Sequence, residues 1–496
     1  METSEITTPI PADEQHQSQE KNKESVVLEH DCSVLENIEH SLIESRFLIE
    51  NLFSDVKEND AVVAKEVSNL SSFENQTLQQ NQMDVDDYSK KIQDKNDTLI
   101  VEESKEDSIN TIESIPTAEP EKSEDKNIEN AEYIQLTYKW TAPKLLCSAK
   151  KDFKPTEKCE NYTKGCFWSP DGTCILVPSE DFRFRIFDVP RELYTGILPE
   201  DFHVTELESS VRIKEGGLIY DCCWYPYMSS WQPSTCCFLA ASQGSPIHLW
   251  DAFTGQLRAT YRAYNQVDEV EAAISVQFTD SGTKVWSGYK NALRTFDSNR
   301  PGRQTETIYL KKDFPNVTGL VSCIRENPGM SGLIAFGTYS KCIGLYKDGP
   351  LCCFQTSSGV TQIEFSPCGT KIYSAVRRGS EFLCWDLRNP GTVLYSLQNR
   401  QSDSNQRIQF SLSYNGEQMV SGGTDGTVRI WEMPSDLQVE EELDPRYKII
   451  ISKDCINGVD LHKNLPMLAV STGTRICDQE NHYRDNSLRF YWVGNR

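Results

Sequence analysis

The sequence predicts an all-β protein: a seven-bladed WD40-type β-propeller carried behind a disordered acidic N-terminal tail. Three observations predict it. A strand signature closing on an aromatic recurs from about residue 162 onward, as Arg-Phe-Arg-Ile-Phe187-Asp188, Pro-Ile-His-Leu-Trp250-Asp251, Ala-Leu-Arg-Thr-Phe296-Asp297, Cys-Ile-Gly-Leu-Tyr346, Glu-Phe-Leu-Cys-Trp385-Asp386, Thr-Val-Arg-Ile-Trp431-Glu432 and Leu-Arg-Phe-Tyr-Trp492. Its markers at 251, 297, 346 and 385 repeat at roughly the 40–45-residue period of one propeller blade with its loops. Before each signature stand an apolar strand, a Ser-Pro or other polar turn, and a short second strand, so each repeat supplies three strands before its outer one. Charge then divides the chain. Of 74 acidic and 50 basic residues, positions 1–130 hold 32 and 11, which leaves 42 and 39 for the rest. The low pI therefore belongs to the tail, and a nearly neutral 131–496 has room for a basic face.

Taken in order, residues 1–130 are rich in Glu, Asp, Ser, Asn and Gln and are expected to be disordered. Within them Leu35, Ile38, Leu42, Ile49 and Leu52 follow helical spacing over 33–53, with Ser33 and Glu36 as a capping box. The plain reading is a transient helix in a solvated tail; the sharper one is a partner-binding helix. All nine Trp lie beyond residue 130, as a packed core confined to 131–496 requires. The first blade starts near Tyr162, with Trp168-Ser-Pro-Asp-Gly172 as its first turn, and is followed by an insertion from Pro190 to Gly216 that supplies the outer strand and a surface excursion. The second holds Tyr220-Asp-Cys-Cys-Trp-Tyr225 and Trp250-Asp251. The third to sixth span about 268–310, 317–355, 359–398 and 407–440. The seventh uses 456–461, 467–470 and 488–492. After Trp492 too little chain remains for an outer strand, and an unpaired edge would leave a ladder of unmet hydrogen bonds. Either 133–140 or 144–149 is expected to supply that strand and close the ring.

Much chemistry is absent from the pattern. No Gly-x-Ser-x-Gly elbow, no phosphate-cradling Gly-rich loop and no His-Glu-x-x-His pair occurs, so no enzyme is expected. The 17 Cys include no Cys-x-x-Cys, and adjacent pairs such as Cys222-Cys223 point to opposite faces of a strand. No metal or cofactor is expected. The N-terminus Met-Glu-Thr-Ser-Glu-Ile lacks a leader's basic and apolar regions, no apolar run approaches a membrane span, and reduced cysteines follow. The propeller is expected to be monomeric.

Binding has more support. In a propeller the second-to-third-strand loops and the connections between blades emerge on one face. Arg262 and Tyr264 follow the second blade, Arg377 and Arg378 form a turn of the fifth, and Arg400 and Arg407 follow the fifth. Guanidiniums that pair with phosphate beside rings on which bases stack suit single-stranded or looped RNA. The bland alternative is routine surface arginine with tyrosines packed between blades. Trp250, Asp251, Trp385, Asp386 and Trp431 are structural positions. Arg388, just past a third strand on the opposite face, is expected to bond a blade edge, worth about 1.5–3 kcal/mol where partly buried.

Several stretches resemble the telomerase Cajal body protein family. They are Ile219-Tyr-Asp-Cys-Cys-Trp-Tyr225, Met228-Ser-Ser-Trp-Gln-Pro233, Ser245-Pro-Ile-His-Leu-Trp-Asp-Ala-Phe-Thr-Gly-Gln-Leu-Arg258, Tyr261-Arg-Ala-Tyr-Asn265, Arg300-Pro-Gly-Arg303, Leu383-Cys-Trp-Asp-Leu-Arg388, Asn405-Gln-Arg-Ile408 and Asn457-Gly-Val459. The resemblance runs over about 133–496. It implies recognition of the CAB box of box H/ACA small Cajal body RNAs and, where it carries that box, of telomerase RNA. Implied with it are the ribonucleoproteins of these RNAs and Cajal body proteins as partners, a nuclear Cajal-body location, and no catalysis. The chain departs from the common WD pattern where the fourth repeat ends Tyr346-Lys347, where the seventh ends Trp492-Val493, and in having no Gly-His pair. The competing class is an interaction scaffold: Trp385-Asp386-Leu387-Arg388 matches the WDxR pattern of substrate adaptors for cullin-type ubiquitin ligases.

Overall fold

The structure, a computed structural model, describes residues 136–155, 160–434, 441–475 and 483–495. The acidic tail and its expected helix at 33–53 lie outside the described residues. Seven antiparallel blades stand around an axis, each with strands a to d ordered outward. Strand a of each neighbouring pair lies side by side around the axis. Blade 1 is Phe167–Trp168, Cys174–Pro178, Arg183–Asp188 and Val211–Lys214. Blade 2 is Ile219–Trp224, Cys237–Ser242, Ile247–Asp251 and Leu257–Tyr261. Blade 3 is Ser275–Thr279, Lys284–Gly288, Ala292–Asp297 and Glu306–Tyr309. Blade 4 is Val321–Glu326, Ile334–Thr338, Cys342–Tyr346 and Pro350–Gln355. Blade 5 is Val360–Phe365, Lys371–Val376, Phe382–Asp386 and Val393–Leu397. Blade 6 is Phe410–Leu412, Gln418–Ser421, Thr427–Glu432 and Tyr447–Ile450. Blade 7 is Ile456–Leu461, Met467–Thr472 and Ser487–Trp492, with Lys144–Ala149 as its outer strand.

That last strand comes from the far end of the described chain. Lys144 faces Trp492 and Ala149 faces Leu488, antiparallel. Leu146, Phe490 and Trp492 pack into one apolar cluster with Trp168 of blade 1. The insertion after blade 1 serves two sheets. Val211–Lys214 completes blade 1, and Thr205–Glu206 pairs in parallel with the outer strand of blade 7. Blade 6 corrects the expected boundary at 440: its outer strand is Tyr447–Ile450, while Glu441–Leu443 adds in parallel to the edge of blade 5. The sequence marker of blade 7 also moves by one. Tyr491 faces Leu468 as Trp431 faces Met419, so Tyr491, not Trp492, occupies the aromatic position.

A recurrent turn joins strands a and b. In blades 1, 5 and 6 the hydroxyls of Ser169, Ser366 and Ser413 accept the N–H of Cys174, Lys371 and Gln418. Three residues on, Gly172, Gly369 and Gly416 take φ of 74°, 72° and 72°, a left-handed step that a Cβ would strain. The core lies between blades. Phe382 of blade 5 meets Phe410 and Trp431 of blade 6 edge to face, at centroid distances of 5.1 and 5.5 Å. The described cysteines are free thiols, most of them buried, and burial raises most of their pKa values.

Candidate nucleic-acid interface

Connectivity puts the b–c turns and the blade-to-blade connections on one face, and the a–b and c–d turns on the other. On the first face the b–c turns of blades 1, 6 and 7 differ from those of blades 4 and 5. In blades 1, 6 and 7 an Asp of the turn holds the Arg four residues later on strand c. These pairs are Asp181–Arg185 at 2.7 Å, Asp425–Arg429 at 2.6 Å, and Asp485–Arg489. All three guanidiniums are buried. Burial alone would raise the Asp181 carboxyl, but Arg185 and Ser179 outweigh it and hold it down at about 2. Blades 4 and 5 have neither partner: Gly344 and Leu383 stand where the Arg would be, with Ser340 and Gly379 four residues before them.

Their turns carry Tyr339, Lys341, Arg377 and Arg378 instead. The Arg377 guanidinium lies over the Tyr339 ring, 3.7 Å from its centroid. Arg407, just ahead of blade 6, donates from Nη2 to the Tyr339 hydroxyl at 3.1 Å and to the Ser322 carbonyl at 2.8 Å. Its Nη1 donates to the Tyr220 carbonyl of blade 2 at 3.3 Å, so this one side chain ties blades 2 and 4 together. Burial would raise the Tyr339 phenol, yet Arg407 and Arg377 hold it below its ordinary value. Burial opposes the Arg407 charge too, but Tyr339 and Asp221 stabilise it and raise its pKa. Arg378 and Lys341 are exposed, at φ of 51° and 67°.

Further along the axis Arg325 donates to Glu364 Oε1 at 2.8 Å and to Gln277 Oε1 at 3.3 Å. A cavity of about 610 Å³, lined by Arg325, Glu364, Asp460 and Lys463 among others, opens beside them. Asp460 accepts the Trp168 N–H and the Ser411 hydroxyl, both at 2.9 Å, and burial pushes its carboxyl up to about 6. Among the described residues, no group of three His, Cys, Asp or Glu side chains is placed to hold a metal.

The five arginines and one tyrosine expected to form one rim separate. Arg377 and Arg407 meet on Tyr339, and Arg378 stands beside them in the same turn. Arg400 is a correction: it is only 2% exposed, over the Phe382 ring and under the turn that carries Arg377 and Arg378. Arg262 and Tyr264 are a second correction, because they belong to the outer edge. The Arg262 N–H donates to the Gly302 carbonyl, and Tyr264 exchanges hydrogen bonds with Gln304 at 2.9 and 2.8 Å. Arg303 lies over the Tyr264 ring at 4.5 Å and is paired with Asp268. The outermost strand of blade 2 thus leads into the c–d loop of blade 3, which belongs to the other face.

The remaining positions hold the blades. Trp250 Nε1 donates at 2.5 Å to Glu215, a buried carboxylate that also accepts from Ser242 and contacts His248. In blade 2 Glu215 therefore does the tying that a Gly-His pair would do. Asp251 caps its own turn by accepting from the N–H groups of Phe253 and Thr254, both at 2.8 Å. Trp385 Nε1 donates to the Ser374 hydroxyl at 2.8 Å, and Trp431 Nε1 donates to the Gln398 carbonyl at 3.0 Å. Arg388 bonds both oxygens of Asp386, at 3.0 and 3.1 Å, with its side chain 46% exposed. Its worth therefore falls below the 1.5–3 kcal/mol range expected for a partly buried bond, toward that of a surface pair. Tyr339 and Glu215 were missed by sequence reasoning. The signal for Tyr339 was the missing Asp and Arg in its repeat; for Glu215, the missing Gly-His pair.

Comparison with known proteins supplies the remaining findings. The "WD domain, G-beta repeat" family model matches residues 397–432. Telomerase Cajal body protein 1 of Mus musculus is 40% identical over 376 residues, covering 74% of this chain and 69% of that protein. The Homo sapiens protein of the same name is 41% identical, covering 67% of this chain and 60% of its own length. The Drosophila melanogaster homolog is 35% identical over 76% of this chain and 67% of its own.

Proposed function

This chain belongs to the telomerase Cajal body protein family, and on that premise we propose that its propeller binds the CAB-box loop of box H/ACA small Cajal body RNAs. It carries those ribonucleoproteins to Cajal bodies in the nucleus and performs no catalysis. Telomerase RNA is a ligand of the same site where it carries that box. The observation supporting a nucleic-acid site is the clasp of Tyr339 by Arg377 and Arg407, at one face of blades 4 and 5. A guanidinium plane fixed on an aromatic ring offers phosphate a rigid cation and offers an unpaired base a flat partner. The exposed Arg378 and Lys341 widen the basic surface. The test titrates a CAB-box hairpin against the full chain at several salt concentrations. Replacing Arg377 and Arg378 together by Ala is expected to weaken binding and to flatten the salt slope by about 0.7 for each phosphate that the variant no longer neutralises. Wild-type affinity and slope in that variant would place the RNA elsewhere.

A further inference from the structure

Among the described residues, Arg400 is a buried cation without a counter-charge. Its Nη1 donates to the Val376 carbonyl at 2.7 Å, its guanidinium lies 4.8 Å from the Phe382 centroid, and its Nε has no hydrogen-bond partner. Burial alone pulls its pKa down to about 9. An unpartnered guanidinium nitrogen is common to the other buried arginines, but Arg185, Arg294, Arg429 and Arg489 are each paired with a carboxylate. The acids near Arg400 in sequence are engaged with other groups. Glu381 accepts from Gln398 Nε2 at 2.9 Å, and Asp403 accepts from the Thr424 hydroxyl at 2.7 Å. A buried guanidinium whose described acceptor is a neutral carbonyl is unfavourable, and an arriving anion would relieve it.

Its covering points the same way. Arg377–Ser380 roofs the site, tied down by the Arg400 N–H to the Ser380 carbonyl at 2.8 Å. That roof brings two more arginines. Arg378 holds φ of 51°, a left-handed conformation costly for a side-chain-bearing residue. Gly379 packs closely on the site, since a Cβ there would come 2.6 Å from a Val376 methyl and 3.5 Å from Arg400 Nη1.

We propose that Arg400 is the floor of a phosphate-binding site, which takes a backbone phosphate of the bound RNA when the Arg377–Ser380 turn lifts. The RNA as source of that phosphate rests on the function proposed above; the anion site itself does not. The turn is the lid, and Arg378 is the cation that meets the phosphate first. Arg400 then pairs with it by charge-assisted bonds.

The test melts the full chain with and without inorganic phosphate, at ionic strength held constant with potassium chloride. Phosphate is expected to raise the wild-type melting temperature. Arg400→Met, which removes the charge and keeps the apolar stem, is expected to melt as high as wild type or higher without phosphate, and to lose the phosphate response. A Met variant that responds to phosphate as wild type does overturns the proposal, and would mean an adventitious ion only. Should Arg400→Met not fold, Arg378→Ala on the exposed roof decides, because an unchanged phosphate response there is equally fatal. For the source, Arg400→Met should cost roughly tenfold in hairpin affinity, the worth of one charge-assisted bond. Phosphate protection with no hairpin binding by wild type would sink the RNA reading and leave the anion site standing. Better protection by a phosphoserine peptide than by the hairpin would overturn RNA as the occupant.

Discussion

The b–c turns of blades 1, 6 and 7 and those of blades 4 and 5 occupy equivalent places in one fold, yet they use their charge oppositely. In the first group each Asp keeps its Arg within the repeat, and the guanidinium charge is paired inside its own blade. In the second the ion pair is missing, and the cations reach between blades to an aromatic ring or stand in solvent. A closed pair stabilises its turn and leaves little for a ligand. An open turn gives up that local stability and keeps charge available. Departure from the repeat is therefore what singles out the surface proposed to bind RNA.

The comparison breaks first if the ring does not close as the pairing implies. Lys144–Ala149 covers the last edge of blade 7, whose b–c turn is one of the closed ones, and Lys150 pairs with its Asp485 at 3.1 Å. A chain beginning at residue 131 is expected to unfold cooperatively, and one beginning at 151 is expected not to fold. Thermal melts decide. Equal, sharp transitions at the same temperature would show that blade 7 does not need this strand, and that its turn is held by the Asp–Arg pair alone.

The next largest effect sets the two turn types against each other. Asp181→Ala strands the Arg185 guanidinium, whose side chain is 6% exposed, at a cost of about 3–5 kcal/mol. Arg378→Ala is expected to cost about 0.5 kcal/mol or less in stability and Arg377→Ala about 0.5–1 kcal/mol for its contact with Tyr339, the two together costing RNA affinity. Denaturant melts paired with hairpin titrations read both quantities. If Asp181→Ala, still folded under the assay conditions, loses RNA affinity as strongly as the double variant, the division between closed and open turns is wrong.

How much of this was legible follows from what repeats. Seven blades could be read because each strand c carries an aromatic at the same register, buried or half-buried, leaving a period in the sequence. Register was less secure. Leu-Arg-Phe-Tyr-Trp492 carries consecutive aromatics, and only strand pairing shows that Tyr491 aligns with Trp431. The site was half legible. Arg377 and Arg407 could be placed on one face by loop order, but Tyr339 sits in a turn that had not been read for its ring. Arg262 and Tyr264 were misplaced because loop order ignores where an outermost strand leads, here to Gly302 and Gln304 of the next blade. Arg400 was misplaced because no sequence pattern tells a rim arginine from one beneath the turn above it.

A smaller effect tests the opposite mouth of the axis, where no open turn lies. The Asp460 carboxyl titrates near 6 in the folded chain against about 3.9 unfolded. The folded state thus binds more protons between those values, and its stability falls as pH rises from 4 through 6. Asp460→Asn can keep both hydrogen bonds without the charge. It is expected to gain about 1–3 kcal/mol over wild type at pH 8 and nothing at pH 4, by denaturant melts at the two pH values. Equal differences at both would mean that the carboxylate is not penalised there, and RNA binding should be untouched in either case.

The smallest effect belongs to Arg388, and it bears on the c–d face as the arginines of blades 4 and 5 bear on theirs. Arg388 is fixed by Asp386 alone, across one turn, with nearly half its side chain in solvent. The Asp caps the turn independently by accepting the Arg388 backbone N–H at 2.9 Å, a bond that survives truncation of the side chain. An exposed pair of this kind is worth about 0.2–1 kcal/mol. Arg388→Ala should therefore melt within a few degrees of wild type and bind the hairpin with wild-type affinity and salt slope. A loss of RNA binding without loss of stability would extend the nucleic-acid surface to the c–d face. It would also overturn the proposal that the ligand is met by turns lacking the Asp–Arg pair.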